Sequence, residues 1–353
     1  MIPDLSPLVT TPLLAFAATI ILYGAALFLF PRWGLLDFPE RYGLSRKRLP
    51  YPAGIVGVVV FLLLFPFLHA LQSQMMGLMA AVVMLSVTAF VDDRYPLPAS
   101  LRLCVQCSAA ALIFWTGDCT GGRICSITNP FEQWTHTPFL ELNSGIPIVA
   151  FVVTVFWILL TTNALNWLDG IPGQVEVLSL IGFLTIGFLS LSERVDQPEL
   201  ALLAFVLAGI SGAGMLFSLP IQRVVLGDTG AMFYGFLLGT LTIVSGGKVA
   251  TAFLVLGVPL LDVLFVVVRR LRHGRSPFRG SASGEHLHHR LLAKGWSPLA
   301  VIALTATVGT TFGIGALFLD TFQKLIAAAI LFGCMLLLSL YSTPDRRKRE
   351  YLD

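Results

Sequence analysis

The stretch RRLRHGRSPFRGSASGEHLHHRLL, Arg269 to Leu292, is the longest polar run in a chain that is otherwise almost wholly apolar. It holds six arginines (Arg269, Arg270, Arg272, Arg275, Arg279, Arg290) and four histidines (His273, His286, His288, His289) between two hydrophobic segments. Each charge would cost several kcal/mol in hydrocarbon, so this loop belongs in water beside a membrane. Its guanidinium groups suit phosphate, both by charge and by their forked donors.

The flanking sequence sets that frame. Of 353 residues, 56% are hydrophobic and 12% are charged, against about 25% charged in soluble domains. Runs near 20 apolar residues are the length of membrane-crossing helices. The expected fold is an all-α polytopic membrane protein, one integral domain over 1–353, with about eleven spans: 10–31, 53–71, 75–91, 101–116, 146–162, 175–191, 199–219, 229–247, 249–268, 298–319 and 321–342. The N-terminal MIPDLSPLVTT lacks the basic region of a cleavable signal, so the first span is expected to be retained. No internal repeat of the kind that builds many transporters is evident. Nothing points to a nucleic-acid partner.

Lysine and arginine placement orients the spans. With the N-terminus outside, segments 32–52, 92–100, 163–174, 220–228 and 269–297, the tail 343–353 and the helix-end Arg102 carry nineteen basic residues, and the opposite side keeps four. That asymmetry predicts a cytoplasmic polar loop and C-terminus. The localisation expected is the inner (plasma) membrane, with the site on its cytoplasmic face. On the same edge fall Asp37, Glu40, Asp92, Asp93, Asp169 and Asp228, with Asp262 about two turns ahead of Arg269. The other side has one long loop, 117–145, expected to form a small external hairpin in which Cys119 and Cys125 are placed to form a disulfide. Cys104 and Cys107 sit in an apolar run without a second pair, which favours packing over zinc.

Four motifs carry the chemistry, and each also has an ordinary structural explanation. Asp92 and Asp93 end a span, where adjacent carboxylates call for a cation or proton or for an arginine partner such as Arg94. Asn163, Asn166 and Asp169 form one row of a helix face, suited to a hard cation, a sugar nucleotide or a helix cap. Asp228, between Gly227 and Thr229-Gly230, fits either an N-cap or a Mg²⁺ ligand. In the HLHH segment, His286, His288 and His289 fit anion binding better than zinc.

Together, AFVDDR (89–94), NALNWLDG (163–170), VLGDTG (225–230), PLLDVLFVVVRRLRHGRSPF (259–278) and HLHH (286–289) resemble the polyprenyl-phosphate N-acetylhexosamine-1-phosphate transferases. GLLDFP (34–39) and PYPAG (50–54) resemble the first cytoplasmic loop of that family. The resemblance implies transfer of N-acetylhexosamine 1-phosphate from a UDP-sugar to polyprenyl (undecaprenyl) phosphate, with release of UMP, for envelope polysaccharide or peptidoglycan synthesis. It implies Mg²⁺, with Mn²⁺ as substitute, on Asp228 and Asn166. Asp92 and Asp93 would serve the lipid phosphate, Asp169 and Asn163 the nucleotide-sugar, and Arg270, His286, His288 and His289 the phosphates. It also implies a homodimer. Two departures stand out. Pro172 replaces the second aspartate of the family's DGxDG, which helps to recognise the nucleotide base, and Gly54 stands alone where paired glycines are common. The alternatives are a membrane transporter and an inactive scaffold of the same fold.

Overall fold

The computed structural model describes residues 6–42, 45–68, 73–119, 121–142, 147–193, 195–245, 249–276 and 284–343. The basic tail beyond residue 343 and the centre of the polar loop, with Arg279, lie outside them. Among the described residues the fold is all-α apart from one two-stranded ladder.

Each of the eleven apolar runs is helical. They become α1 (Ser6–Arg32), α2 (Ile55–Leu68), α3 (Ser73–Arg94), α4 (Ala99–Thr116), then past a four-residue helix α5 (Glu132–Thr135), α6 (Ile148–Leu168), α7 (Gln174–Ser190), α8 (Pro198–Ser218), α9 (Gly227–Val244), the pair α10 (Val249–Val255) and α11 (Gly257–Arg272), and, after the short α12 (Leu287–Ala293), α13 (Pro298–Phe318) and α14 (Thr321–Tyr341). Seven are long and apolar enough to cross a membrane, or eight if the bent pair is one span. This is the architecture of a polytopic membrane protein, with fewer full-length spans than the eleven expected. The shortfall has identifiable causes. α2 and α7 are shorter than the rest. α10 and α11 meet at an 85° bend. α9 is diluted by Asp228 and by several glycines and threonines, and it is buried along nearly its whole length.

The ladder pairs β1 (Ser126–Thr128) with β2 (Phe139–Glu141), antiparallel, Ser126 opposite Glu141. The Cys119–Cys125 disulfide closes a tight turn just ahead of β1, so the hairpin follows the disulfide instead of being turned by it. Chain connectivity puts this hairpin after the far end of α4 and before α6, opposite the ends that carry Arg102 and Asp169.

α9 packs against α6 and α3. Residues 50–54 lie against its entry: Ala53 N donates to Val225 O (2.8 Å), Gly54 N to Leu226 O (2.9 Å), and Val225 N to Pro50 O (2.9 Å). Backbone meets backbone here, and a Cβ on Gly54 would collide with Gly230 Cα. The single glycine of the first loop thus performs a packing task that no larger residue can perform.

Gly54→Ala is therefore expected to cost about 1–3 kcal/mol through overpacking, read as a lower midpoint of thermal unfolding in detergent. Gly24→Ala, at a position with nothing within 4 Å, serves as the control that should not lose stability. Equal midpoints for the two variants would contradict the contact.

Candidate active site

α3 delivers Asp92 and Asp93 at its last turn. Asp93 accepts from the backbone N–H groups of Asp228 (2.9 Å) and Thr229 (3.0 Å), from Thr229 Oγ1 (2.6 Å) and from Tyr51 Oη (2.6 Å). It thus caps α9 from a different helix, satisfying N–H groups that have no partner within a helix's first turn. Asp228 is relieved of the capping role, and its side chain turns into a cavity. Asp92 points the other way, accepting from Leu97 N (2.7 Å) and Arg102 Nη1 (2.8 Å). Arg102 also reaches Asp228 Oδ2 at 3.4 Å.

The cavity has a volume of about 990 Å³. Asp93, Asp169 and Asp228 line it, together with Asn163, Asn166, Arg270, His286 and His289. Asp92 and His288, also expected at the site, do not reach it. Asp92 is committed to Arg102 and the turn after α3. His288 is buried beneath Gly170, where a Cβ would strike its imidazole. This contact brings NALNWLDG against HLHH, and it exists because residue 170 is glycine. Burial and the neighbouring His289 and His286 push His288 down to about 3, so its ring is neutral. Pro172 is not on the cavity wall.

The two asparagines differ. Asn163 donates to Gln106 Oε1 and Leu159 O, both at 2.8 Å, so Gln106 of α4 holds it. Asn166 has a buried amide nitrogen with no hydrogen-bond partner, and its carboxamide lies near enough to Asp228 to favour the ionised form. Asp169 is held well above the usual carboxylate range by burial and then by repulsion from Glu176, Asp228 and Asp93. Asp228 is pushed up to about 7 by burial and Asp93, with Asn166 and Arg102 opposing. Its side chain is 35% exposed, and that exposure is to the cavity.

Among the described residues no group of three or more His, Cys, Asp or Glu is arranged to hold a metal ion. A Mg²⁺ site does not need one, since this ion commonly takes one or two carboxylates and leaves its other positions to water and substrate phosphate. Crowded carboxylates, with the Asn166 carboxamide beside Asp228, offer the oxygen ligands that such a site uses. Asp228 and Asn166 fit the ion.

The same cavity is lined by Arg270, His286 and His289. Arg270 is held by Glu285 (2.6 Å) and lies over the Trp167 ring at 5.9 Å. His286 Nδ1 is 2.8 Å from Asp262 Oδ2. Arg269 and Arg290 turn away and bind the C-terminal end of α14: Arg290 donates to Ser339 O, Ser342 O and Thr343 Oγ1, and Arg269 to Ser339 Oγ. Helix-end carbonyls attract cations, so these two arginines dock the loop. The structure adds Arg46, Tyr51, Arg102, Gln106 and Trp167 to the cavity wall. Gln106 had a readable signal, a polar side chain inside an apolar helix. For Arg46, Tyr51, Arg102 and Trp167, nothing in the local sequence separates a residue that lines the cavity from one that does not.

Residues 75–246 match the glycosyl transferase family 4 model. The chain is 27% identical over 308 residues to the probable undecaprenyl-phosphate N-acetylglucosaminyl 1-phosphate transferase of Bacillus subtilis, covering 85% of this chain and 81% of that one. It is 29% identical over 334 residues to the decaprenyl-phosphate N-acetylglucosaminephosphotransferase of Mycolicibacterium smegmatis (84% and 79%). It is 26% identical over 298 residues to the undecaprenyl-phosphate alpha-N-acetylglucosaminyl 1-phosphate transferase of Escherichia coli K12 (80% and 76%). The family match spans Asp92 to Asp228 and ends before Asp262 and the histidines.

Asp228, near 7 without a cation, must lose its proton to bind one. Apparent Mn²⁺ affinity, followed by electron paramagnetic resonance, should fall about tenfold per pH unit below pH 7 and level off above it. Affinity that stays constant from acid to neutral pH would rule out Asp228 as the ligand.

Proposed function

We propose that this chain, which is similar to glycosyl transferase family 4 over residues 75–246, transfers N-acetylhexosamine 1-phosphate from a UDP-sugar to a polyprenyl phosphate, releasing UMP. N-acetylglucosamine is the sugar in the names of its relatives, and it is the donor we assign. The observation that carries this reading is one cavity lined both by Asp93, Asp169 and Asp228 and by Arg270, His286 and His289. A diphosphate needs cations around it, and the acids need a cation between them and the phosphates.

Phosphoryl transfer asks for in-line positioning and charge neutralisation more than for covalent help from the protein. An oxygen of the lipid phosphate attacks the sugar-side phosphorus, the bond from that phosphorus to the bridging oxygen breaks, and UMP leaves with that oxygen. Mg²⁺, held by Asp228 and Asn166, would supply neutralisation of phosphate charge. Arg270, fixed by Glu285 and Trp167, and His286, fixed by Asp262, hold the diphosphate. Asp169 and Asn163 line the side where the nucleotide-sugar enters. Asp93 keeps Asp228 in place by holding the start of α9.

The topology that serves this chemistry has the N-terminus outside, eleven crossings counting the short and bent helices, and the cavity on the cytoplasmic face of the plasma membrane. The nineteen-to-four split of basic residues supports it. The disulfide at the opposite end agrees, since disulfides persist in oxidising compartments.

Purified protein incubated with polyprenyl phosphate, Mg²⁺ and radiolabelled UDP-N-acetylglucosamine should form butanol-extractable label, and EDTA should abolish it. Asp228→Asn should lower turnover about 100-fold or more with the fold intact. Absence of lipid-linked label from any UDP-N-acetylhexosamine would refute the transferase assignment, and near-parental turnover in Asp228→Asn would refute the metal ligand.

A further inference from the structure

Asp262 is a carboxylate inside the apolar helix α11, only 6% exposed. Burial of a charge in such surroundings is costly unless the charge is fully hydrogen-bonded. Both of its oxygens are in fact engaged, and both by the HLHH segment. Oδ2 meets His286 Nδ1 at 2.8 Å, and Oδ1 accepts from Leu287 N at 2.9 Å. The His286 ring also has Trp167 of α6 beside it, tilted at 5.3 Å between centroids, and His288 stacked at 5.8 Å. One ring edge is thus committed to Asp262 while the residue lines the cavity. The nitrogen left to meet a ligand there is Nε2.

We propose that Asp262 is a positioning residue for the transfer reaction: it keeps a proton on His286 Nδ1 and aims Nε2 at the diphosphate of the donor. An ionised carboxylate only accepts hydrogen bonds, so the Asp262 contact requires the proton to sit on Nδ1 of the imidazole. The same carboxylate balances the positive charge when Nε2 is protonated as well, which makes Nε2 a donor to phosphate oxygen. A buried carboxylate orienting a histidine from behind is a general device, and its removal damages turnover more than binding. This inference rests on the transferase reading for its consequence, although the pairing itself does not.

The test is a double-mutant cycle with kcat and KM for UDP-N-acetylglucosamine. Asp262→Asn should lower kcat about 100-fold and leave KM within about threefold, with partial recovery in Asp262→Glu. In a His286→Gln background, Asp262→Asn should add less than about threefold. A full, multiplicative loss in that background, or near-parental kcat in folded Asp262→Asn, overturns the proposal. Should Asp262→Asn fail to fold, histidine-selective ¹⁵N spectra of the unmodified protein decide. An imidazole protonated at Nδ1, whose signal disappears in His286→Gln, supports the pairing, and assignment of His286 to the tautomer with only Nε2 protonated overturns it. Inactive wild-type protein would count against the transferase reading, while the ¹⁵N spectra would still judge the pairing.

Discussion

One carboxylate ties the working end of this protein together. Asp93, at the end of α3, accepts from two backbone N–H groups and a hydroxyl at the start of α9 and from Tyr51 in the first loop. Four donors on a largely buried carboxylate make a rigid joint, because leaving either side of a buried charge-assisted bond unpaired costs more than the bond contributes. Three segments far apart in the chain are fixed against one another by it. Asp228, one turn residue away, is then free to face the cavity as an acid that the fold does not need for its own support.

The basic loop follows a similar division of labour. It reads as a single cluster of positive charge, yet its members act in different directions. Arg270 and His286 face the cavity, each braced from behind by an acid, Glu285 or Asp262. Arg290 instead satisfies Ser339 O at the end of α14, whose last carbonyls have no partners within the helix, and Arg269 donates to Ser339 Oγ beside it. The last span carries no motif, yet it anchors the segment that carries the histidines. His288 is committed differently again, as a neutral ring packed beneath Gly170.

Charge balance across the cavity follows from these placements. Burial raises both Asp169 and Asp228, with repulsion from Glu176, Asp228 and Asp93 added at Asp169 and from Asp93 and Asp92 at Asp228. In the proposed reaction a bound cation would relieve that tension, and Arg270, His286 and His289 line the same cavity for the phosphates. Acids alone would bind an ion without a substrate, and bases alone would bind an anion without activating it. A cavity of about 990 Å³ lined by both leaves room for an ion and a substrate.

The all-α membrane fold, the helical runs and the convergence of Asp93, Asp169, Asp228, Asn163, Asn166, Arg270, His286 and His289 were all legible in the sequence, since long apolar runs and polar residues at their ends report on the bilayer directly. The sequence could not assign roles among chemically equal neighbours. Asp92 and Asp93 are adjacent and alike, and only the approach of α9 to one of them made it a cap. Arg269 and Arg270 diverge because successive residues point to different sides of a helix, and only the packed positions of α6 and α14 decide which side is cavity and which is anchor. The bend between α10 and α11 and the burial of α9 were likewise settled by packing, where small residues let backbones approach. Composition and period thus determined what kind of protein this is, and long-range contacts determined which of its polar groups are available for chemistry.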